Sequence, residues 1–130
     1  MAIKVTHLDH FVLTVADIDR TCDFYQSVFG MRREDFGEGR TCLVFGSQKI
    51  NLHLVGKELE PKARAAGPGT GDICLITQAS ADEIGRHLSA FDVEIIDGPV
   101  LRTGAQGPIT SYYFRDPDGN LLELSCYGDA

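Results

Sequence analysis

Leu8-Asp9-His10-Phe11-Val12-Leu13-Thr14-Val15 is the stretch that decides the fold, because the chain writes it twice. It returns as Thr70-Gly71-Asp72-Ile73-Cys74-Leu75-Ile76-Thr77, with Asp72 at the place of His10, 62 residues on. Both stretches alternate with period two, the signature of a β-strand. A second echo follows. Asn51-Leu52-His53-Leu54 matches Asn120-Leu121-Leu122-Glu123-Leu124 with one residue added, so that His53 and Glu123 read as counterparts. Self-similarity on this scale means two half-domains of the same plan.

Working outward, the first half continues as a turn at Ala16–Asp19, where Asp17 or Asp19 caps a helix. The helix carries Cys22, Phe24, Tyr25, Val28 and Phe29 as a stripe and stops at Gly30. Met31–Phe36 reads as a short strand, and Thr41–Phe45 and Lys49–Val55 as a hairpin. A Gly/Pro-rich connection follows, in which Pro61–Ala66 has room for one helical turn. The second half repeats the order: a strand at 72–77, a helix at Ala81–Phe91, a strand at Val93–Ile96, a Gly/Pro-rich loop from Gly98 to Pro108, and a hairpin of Ile109–Arg115 and Asn120–Tyr127. The expected fold class is α+β, one domain over 1–130 built of two βαβββ modules at about 6–56 and 71–127, joined by a linker at about 57–70.

Bulk composition narrows the function. A charged fraction of 24% beside an apolar fraction of 43% suits a soluble globule, and no apolar run reaches a membrane-spanning length. The net charge of −7, without a Lys/Arg cluster, speaks against nucleic acid as a partner. The N-terminal stretch lacks a signal-peptide core, so the expected location is cytoplasmic. Cys22, Cys42, Cys74 and Cys126 show no C-x-x-C spacing and read as reduced core thiols.

Strand alternation sorts the polar residues. His10, Val12 and Thr14 share one face; so do Asn51 and His53, Asp72 and Cys74, and Glu123 and Ser125. The opposite faces are more apolar and belong under the helices. Taken singly, a strand His is usually a hydrogen-bonded interior residue and an acid is usually a surface or turn residue. Taken together, two imidazoles and two carboxylates half-buried at matching places are costly without a cation, and point to a divalent metal held by His10, His53, Asp72 and Glu123. His7 and His87 are left as solvent-facing.

Leu8-Asp9-His10, Phe24-Tyr25 before Phe29-Gly30, and Arg115-Asp116-Pro117-Asp118-Gly119-Asn120 through Glu123 resemble the vicinal oxygen chelate superfamily, which includes glyoxalase I, extradiol dioxygenases, and fosfomycin- and bleomycin-resistance proteins. The likeness spans residues 6–127. Asn51-Leu52-His53, Asp72–Thr77 and Gly98–Gly104 resemble its glyoxalase domain-containing protein 5 branch, with bacterial virulence-associated relatives. The resemblance implies a cup-shaped mixed β-sheet with helices on the outer face. It also implies metal ligands on the first and last strands of each module, which map onto the same four residues. Glyoxalase I usually shows His or Gln, Glu, His, Glu; here the order is His, His, Asp, Glu, with the same total charge.

The expectation that follows is one divalent ion per chain (Zn, Ni, Mn or Fe) and a glyoxalase-type lyase or isomerase acting on a small α-oxygenated substrate or its thiol adduct. Glu123 would be the catalytic base, with Arg102 clamping an anionic group and Tyr113 lining the substrate cavity. The alternatives are an Fe(II) extradiol-type dioxygenase using His10, His53 and Glu123, and a metal-free binding protein of the resistance type. The resemblance further implies a homodimer.

Overall fold

The computed structural model of the protein describes residues 2–128. The chain divides into two compact units at Gly67/Pro68. The first holds β1 (His10–Val15), α1 (Ile18–Phe29), β2 (Arg32–Phe36), β3 (Arg40–Phe45) and β4 (Gln48–Leu54). The second holds β5 (Asp72–Ile76), α2 (Ala81–Ala90), β6 (Asp97–Gly104), β7 (Gly107–Arg115) and β8 (Leu121–Tyr127). Each unit is thus βαβββ. No helix among the described residues is long and apolar enough to cross a membrane.

Each module makes a mixed four-stranded sheet of the same order, β1-β4-β3-β2 and β5-β8-β7-β6. The first strand lies parallel to the last, and the hairpin strands are antiparallel. A helix between the first two strands supplies the crossover that such an arrangement needs. In module one, α1 lies against β2, β3 and β4 and buries Cys22, Tyr25 and Val28. Leu43, Ile50 and Leu52 on the strands are buried as well. Asp17 caps α1 by accepting the Arg20 N–H at 2.9 Å, and Gly30 ends it in the left-handed conformation at φ 66°. In module two, α2 lies against β7 and β8. Ala81, Ile84 and Leu88 are buried on the helix, and Tyr112, Phe114, Leu122 and Leu124 on the strands. Tyr112 Oη donates to the Ala81 carbonyl at 2.9 Å, fixing the helix start on the sheet.

Three expectations need correction. The strand expected at Val93–Ile96 is irregular, and the strand lies instead at Asp97–Gly104, inside the stretch read as a loop. β6 is the sheet edge, so Pro99 forfeits no ladder bond there. At Gly98 (φ 127°) a Cβ would lie 2.7 Å from the Ser111 carbonyl oxygen and 2.8 Å from the Tyr112 Cα, so the glycine marks a close approach between strands. Arg102 is therefore a strand residue. Pro61–Ala66 forms turns without a helix. Cys74 is exposed, while Cys22, Cys42 and Cys126 are buried; all four are free thiols.

Candidate metal centre and substrate face

In each module one sheet face meets its helix and the other does not; the second is called the open face below. Partners in register share a face, so module one's open face carries His10, Val12 and Thr14 of β1, Lys49, Asn51 and His53 of β4, Cys42 of β3, and Phe36 of β2. Module two's carries Asp72 and Cys74 of β5, Glu123 and Ser125 of β8, Ser111 and Tyr113 of β7, and Arg102 of β6.

The register separates the two histidines. His10 stands opposite Lys49 and His53 opposite Thr14, a spacing of four residues or roughly 13 Å along the strands. His10 is exposed, and its Nδ1 lies 2.8 Å from Asp9 Oδ1. His53 is buried, and its Nδ1 has no hydrogen-bond partner; the Oδ1 of Asn51, two residues away on the same face and also buried, has none either. The acids of module two stand closer. Asp72 pairs with Leu121 and Cys74 with Glu123, so Asp72 and Glu123 are diagonal neighbours. Within either module taken by itself, no three His, Cys, Asp or Glu side chains gather into a metal-holding group among the described residues.

The registers also revise the internal repeat. Val12 opposite Asn51 in module one corresponds to Cys74 opposite Glu123 in module two. The structural counterpart of Glu123 is therefore Asn51, and that of His53 is Ser125. A sequence echo allowing one inserted residue slid the match by one alternation.

A rigid turn presents the acids. Asp116 Oδ1 accepts the backbone N–H groups of Asp118 (2.9 Å) and Asn120 (3.0 Å), and its Oδ2 accepts from Asn120 Nδ2 at 2.7 Å. Asn120 Oδ1 in turn accepts the Gly71 N–H at 2.7 Å. One buried amide thus ties the β7–β8 turn to the residue before Asp72. Glu123 is half-buried. Its Oε2 accepts from Ser111 Oγ at 2.6 Å; Ser111 Oγ also lies 2.6 Å from Ser125 Oγ, and Cys74 Sγ lies 3.5 Å from Ser125 Oγ. Burial, reinforced by the Glu123 charge, pushes the Cys74 thiol up from its ordinary value.

Tyr113 is the register partner of Glu123. Arg102 donates from Nε to Tyr113 Oη at 3.2 Å and from a terminal nitrogen to the Leu101 carbonyl at 3.0 Å, and another terminal nitrogen lies 3.6 Å from Asp97. Its guanidinium carbon is 5.4 Å from the Tyr113 ring centre. The structure adds Asn51, Ser111, Ser125, Arg40 and Lys49 to the residues of interest. Strand alternation alone places Ser111 and Asn51 on these faces; only the registers show what they meet.

The family model of the glyoxalase/bleomycin resistance protein/dioxygenase superfamily matches residues 7–124. The chain belongs to this superfamily. Within it, the glyoxalase domain-containing protein RDO1 of Mycosarcoma maydis is 52% identical over 98% of this chain and 72% of its own. The virulence protein STM3117 of Salmonella typhimurium is 46% identical over 95% of this chain and 85% of its own. Among solved structures, an integron cassette protein from the mobile metagenome of Vibrio cholerae is similar, at 54% identity and a TM-score of 0.96 over 98% of this chain and all of that one. The two-module α+β fold is that of the superfamily.

Proposed function

We propose that the protein is a metal-dependent lyase or isomerase of the glyoxalase type, acting on a small α-oxygenated substrate or its thiol adduct. The observation that carries this reading is the pair of buried, unpartnered polar atoms on the open face of module one, His53 Nδ1 and Asn51 Oδ1. A buried polar atom without a partner costs about 1–3 kcal/mol, so such a pair is retained where a ligand completes it. An imidazole nitrogen fits Zn, Ni, Mn or Fe, and carboxylates complete the donor set.

The proposed donors are His10, His53, Asp72 and Glu123; His10 and His53, four register positions apart, would have to converge on the ion from its two sides. Each module supplies two of these groups, and a homodimer belongs to the same reading. When bound, the ion supplies Lewis-acid polarisation of a substrate carbonyl. Glu123 removes the proton from the carbon beside that carbonyl and returns it. Ser111 fixes the carboxylate for this transfer, and Arg102 with Tyr113 borders the substrate on the same face. The site is that of a small-molecule enzyme, and a cytoplasmic location suits its free thiols.

Two measurements test the reading. Elemental analysis should find about one divalent ion per chain, lowered in His10→Ala, His53→Ala and Glu123→Ala; Asp72→Ala tells whether that acid binds directly or from behind. Glu123→Gln should cut turnover by roughly 10²–10⁴-fold and abolish solvent deuterium wash-in beside the carbonyl, assayed across thiol adducts, 2-oxo acids and CoA thioesters. O₂ consumption without deuterium in the product would replace this reading with an Fe(II) dioxygenase. Near-zero metal after incubation with all four ions would leave a metal-free binding protein.

A further inference from the structure

Module one's open face carries a concentration of positive charge that the proposed chemistry leaves unused. Lys49 Nζ stands 4.0 Å from the centre of the Phe36 ring, and the Arg40 guanidinium carbon stands 4.6 Å from the same centre. Phe36 and Arg40 are register partners on β2 and β3; Lys49 on β4 pairs with Val44, four residues along β3 from Arg40, and reaches the Phe36 ring with its side chain. Two cations on one ring repel each other, and the ring's negative faces offset that repulsion only in part. Most of the nearby carboxylates are committed elsewhere, and Glu38, exposed in the turn between Phe36 and Arg40, makes no ion pair with either cation among the described residues. Glu34 pairs with Arg32 at 2.7 Å, Asp35 accepts from Thr41 and lies 3.6 Å from Arg33, and Asp9 takes His10 at 2.8 Å. Among the described residues neither Arg40 nor Lys49 has a carboxylate within ion-pair distance, although the chain as a whole is acidic at −7.

Arg102, the cation the sequence offered as an anion clamp, already directs Nε at Tyr113, one terminal nitrogen at the Leu101 carbonyl and the other toward Asp97. Arg40 and Lys49 are not so engaged. Lys49, Asn51 and His53 alternate along one strand face, so Lys49 lies roughly 7 Å from Asn51, the nearer of the two residues with an unpartnered buried atom. We propose that Arg40, Lys49 and Phe36 form an anion-binding subsite that takes the carboxylate or phosphate group of a small ligand whose polar centre sits at Asn51 and His53. Calling that ligand the substrate rests on the function proposed above; the binding of the anion does not.

The test is an amide-resolved NMR titration of the full-length, metal-free protein at constant ionic strength, with inorganic phosphate in one arm and acetate in the other. Saturable shifts centred on residues 36, 40 and 49 are expected with at least one anion. Arg40→Gln and Lys49→Gln should each weaken binding at least tenfold, and Lys49→Arg should retain most of it. Tighter binding of phosphate assigns a phosphorylated ligand; tighter binding of acetate assigns a carboxylic acid. Absence of saturable shifts with both anions, or shifts unchanged in a folded Arg40→Gln/Lys49→Gln double variant, would overturn the proposal. Divalent-ion binding measured in the same variants is expected to be unchanged, which keeps failure of this subsite distinct from failure of the metal reading.

Discussion

Ser111 donates to Glu123 across 2.6 Å, and a serine hydroxyl has only one proton to give. The second 2.6 Å contact, to Ser125, must therefore run the other way, with Ser125 donating to Ser111. Ser125 is then free to accept from the Cys74 thiol at 3.5 Å. The chain of donors points from Cys74 through two serines to a half-buried carboxylate, and fixes the Glu123 side chain before any ligand arrives.

Removing the middle link should therefore be felt in the fold. Ser111→Ala leaves Glu123 without its donor and Ser125 without its acceptor, a loss of about 1–3 kcal/mol in unfolding free energy. Urea denaturation reads it directly. A change under about 0.5 kcal/mol, within the range of ordinary surface substitutions, would mean that the network contributes nothing to stability.

Module one makes the opposite prediction. Its counterpart positions, Asn51 and His53, are buried without partners, so they strain the metal-free protein. Asn51→Leu and His53→Leu should each raise the thermal midpoint of metal-free protein, by roughly 1 kcal/mol of stability, while His53→Leu lowers metal uptake. Loss of stability in both variants would show that these atoms are satisfied in solution.

The two modules also show where sequence reading works and where it stops. Alternation in β1, β4, β5 and β8 sorted side chains onto the correct faces because a face needs only parity. Register needs the partner strand, and there the match of His53 to Glu123 failed: hydrogen-bonded pairing gives Asn51 that place. Helix ends were legible where a residue has a local job, as Asp17 and Gly30 do for α1. β6 was not legible, because its Gly98 and Pro99 carry the marks of a loop, and only the edge position and the close pass of Gly98 over Ser111 explain them. The anion subsite was hidden for the same reason. Phe36, Arg40 and Lys49 lie on three different strands, and nothing in their spacing announces that they meet.

The start of α2 carries a capping box: Ser80 Oγ accepts the Glu83 N–H at 3.2 Å, and Glu83 accepts the Ser80 N–H at 3.1 Å. These hydrogen bonds to Ser80 hold the Glu83 carboxyl below its ordinary value of 4.5. A lowered folded value means that the contribution is complete above the ordinary value and is lost as pH falls through the lowered one. Glu83→Gln should therefore flatten the acid limb of the stability–pH curve below about pH 4.5 and change little at neutral pH. Ser80→Ala should cost about 1 kcal/mol at neutral pH. An acid limb unchanged by Glu83→Gln would remove the carboxylate from the cap.

Cys74 offers a probe of the Glu123 side of the site. It is the exposed thiol of the four, so native alkylation should label it first. Exposure alone would suggest fast reaction, but the thiolate is the nucleophile, and Cys74 is held protonated by burial of its sulfur and by the charge of Glu123. Iodoacetamide labelling followed by mass spectrometry should show Cys74 reacting more slowly than a free cysteine at pH 7–8, with its rate still climbing where a free thiol has levelled off. Glu123→Gln removes the nearby charge and should shift that climb to lower pH, though not to the free-thiol position, because the larger cause is burial. A wild-type rate at neutral pH equal to or above that of free cysteine would mean that Glu123 and Cys74 do not share the face in solution as they do here, and the donor chain ending on Glu123 would fall with it.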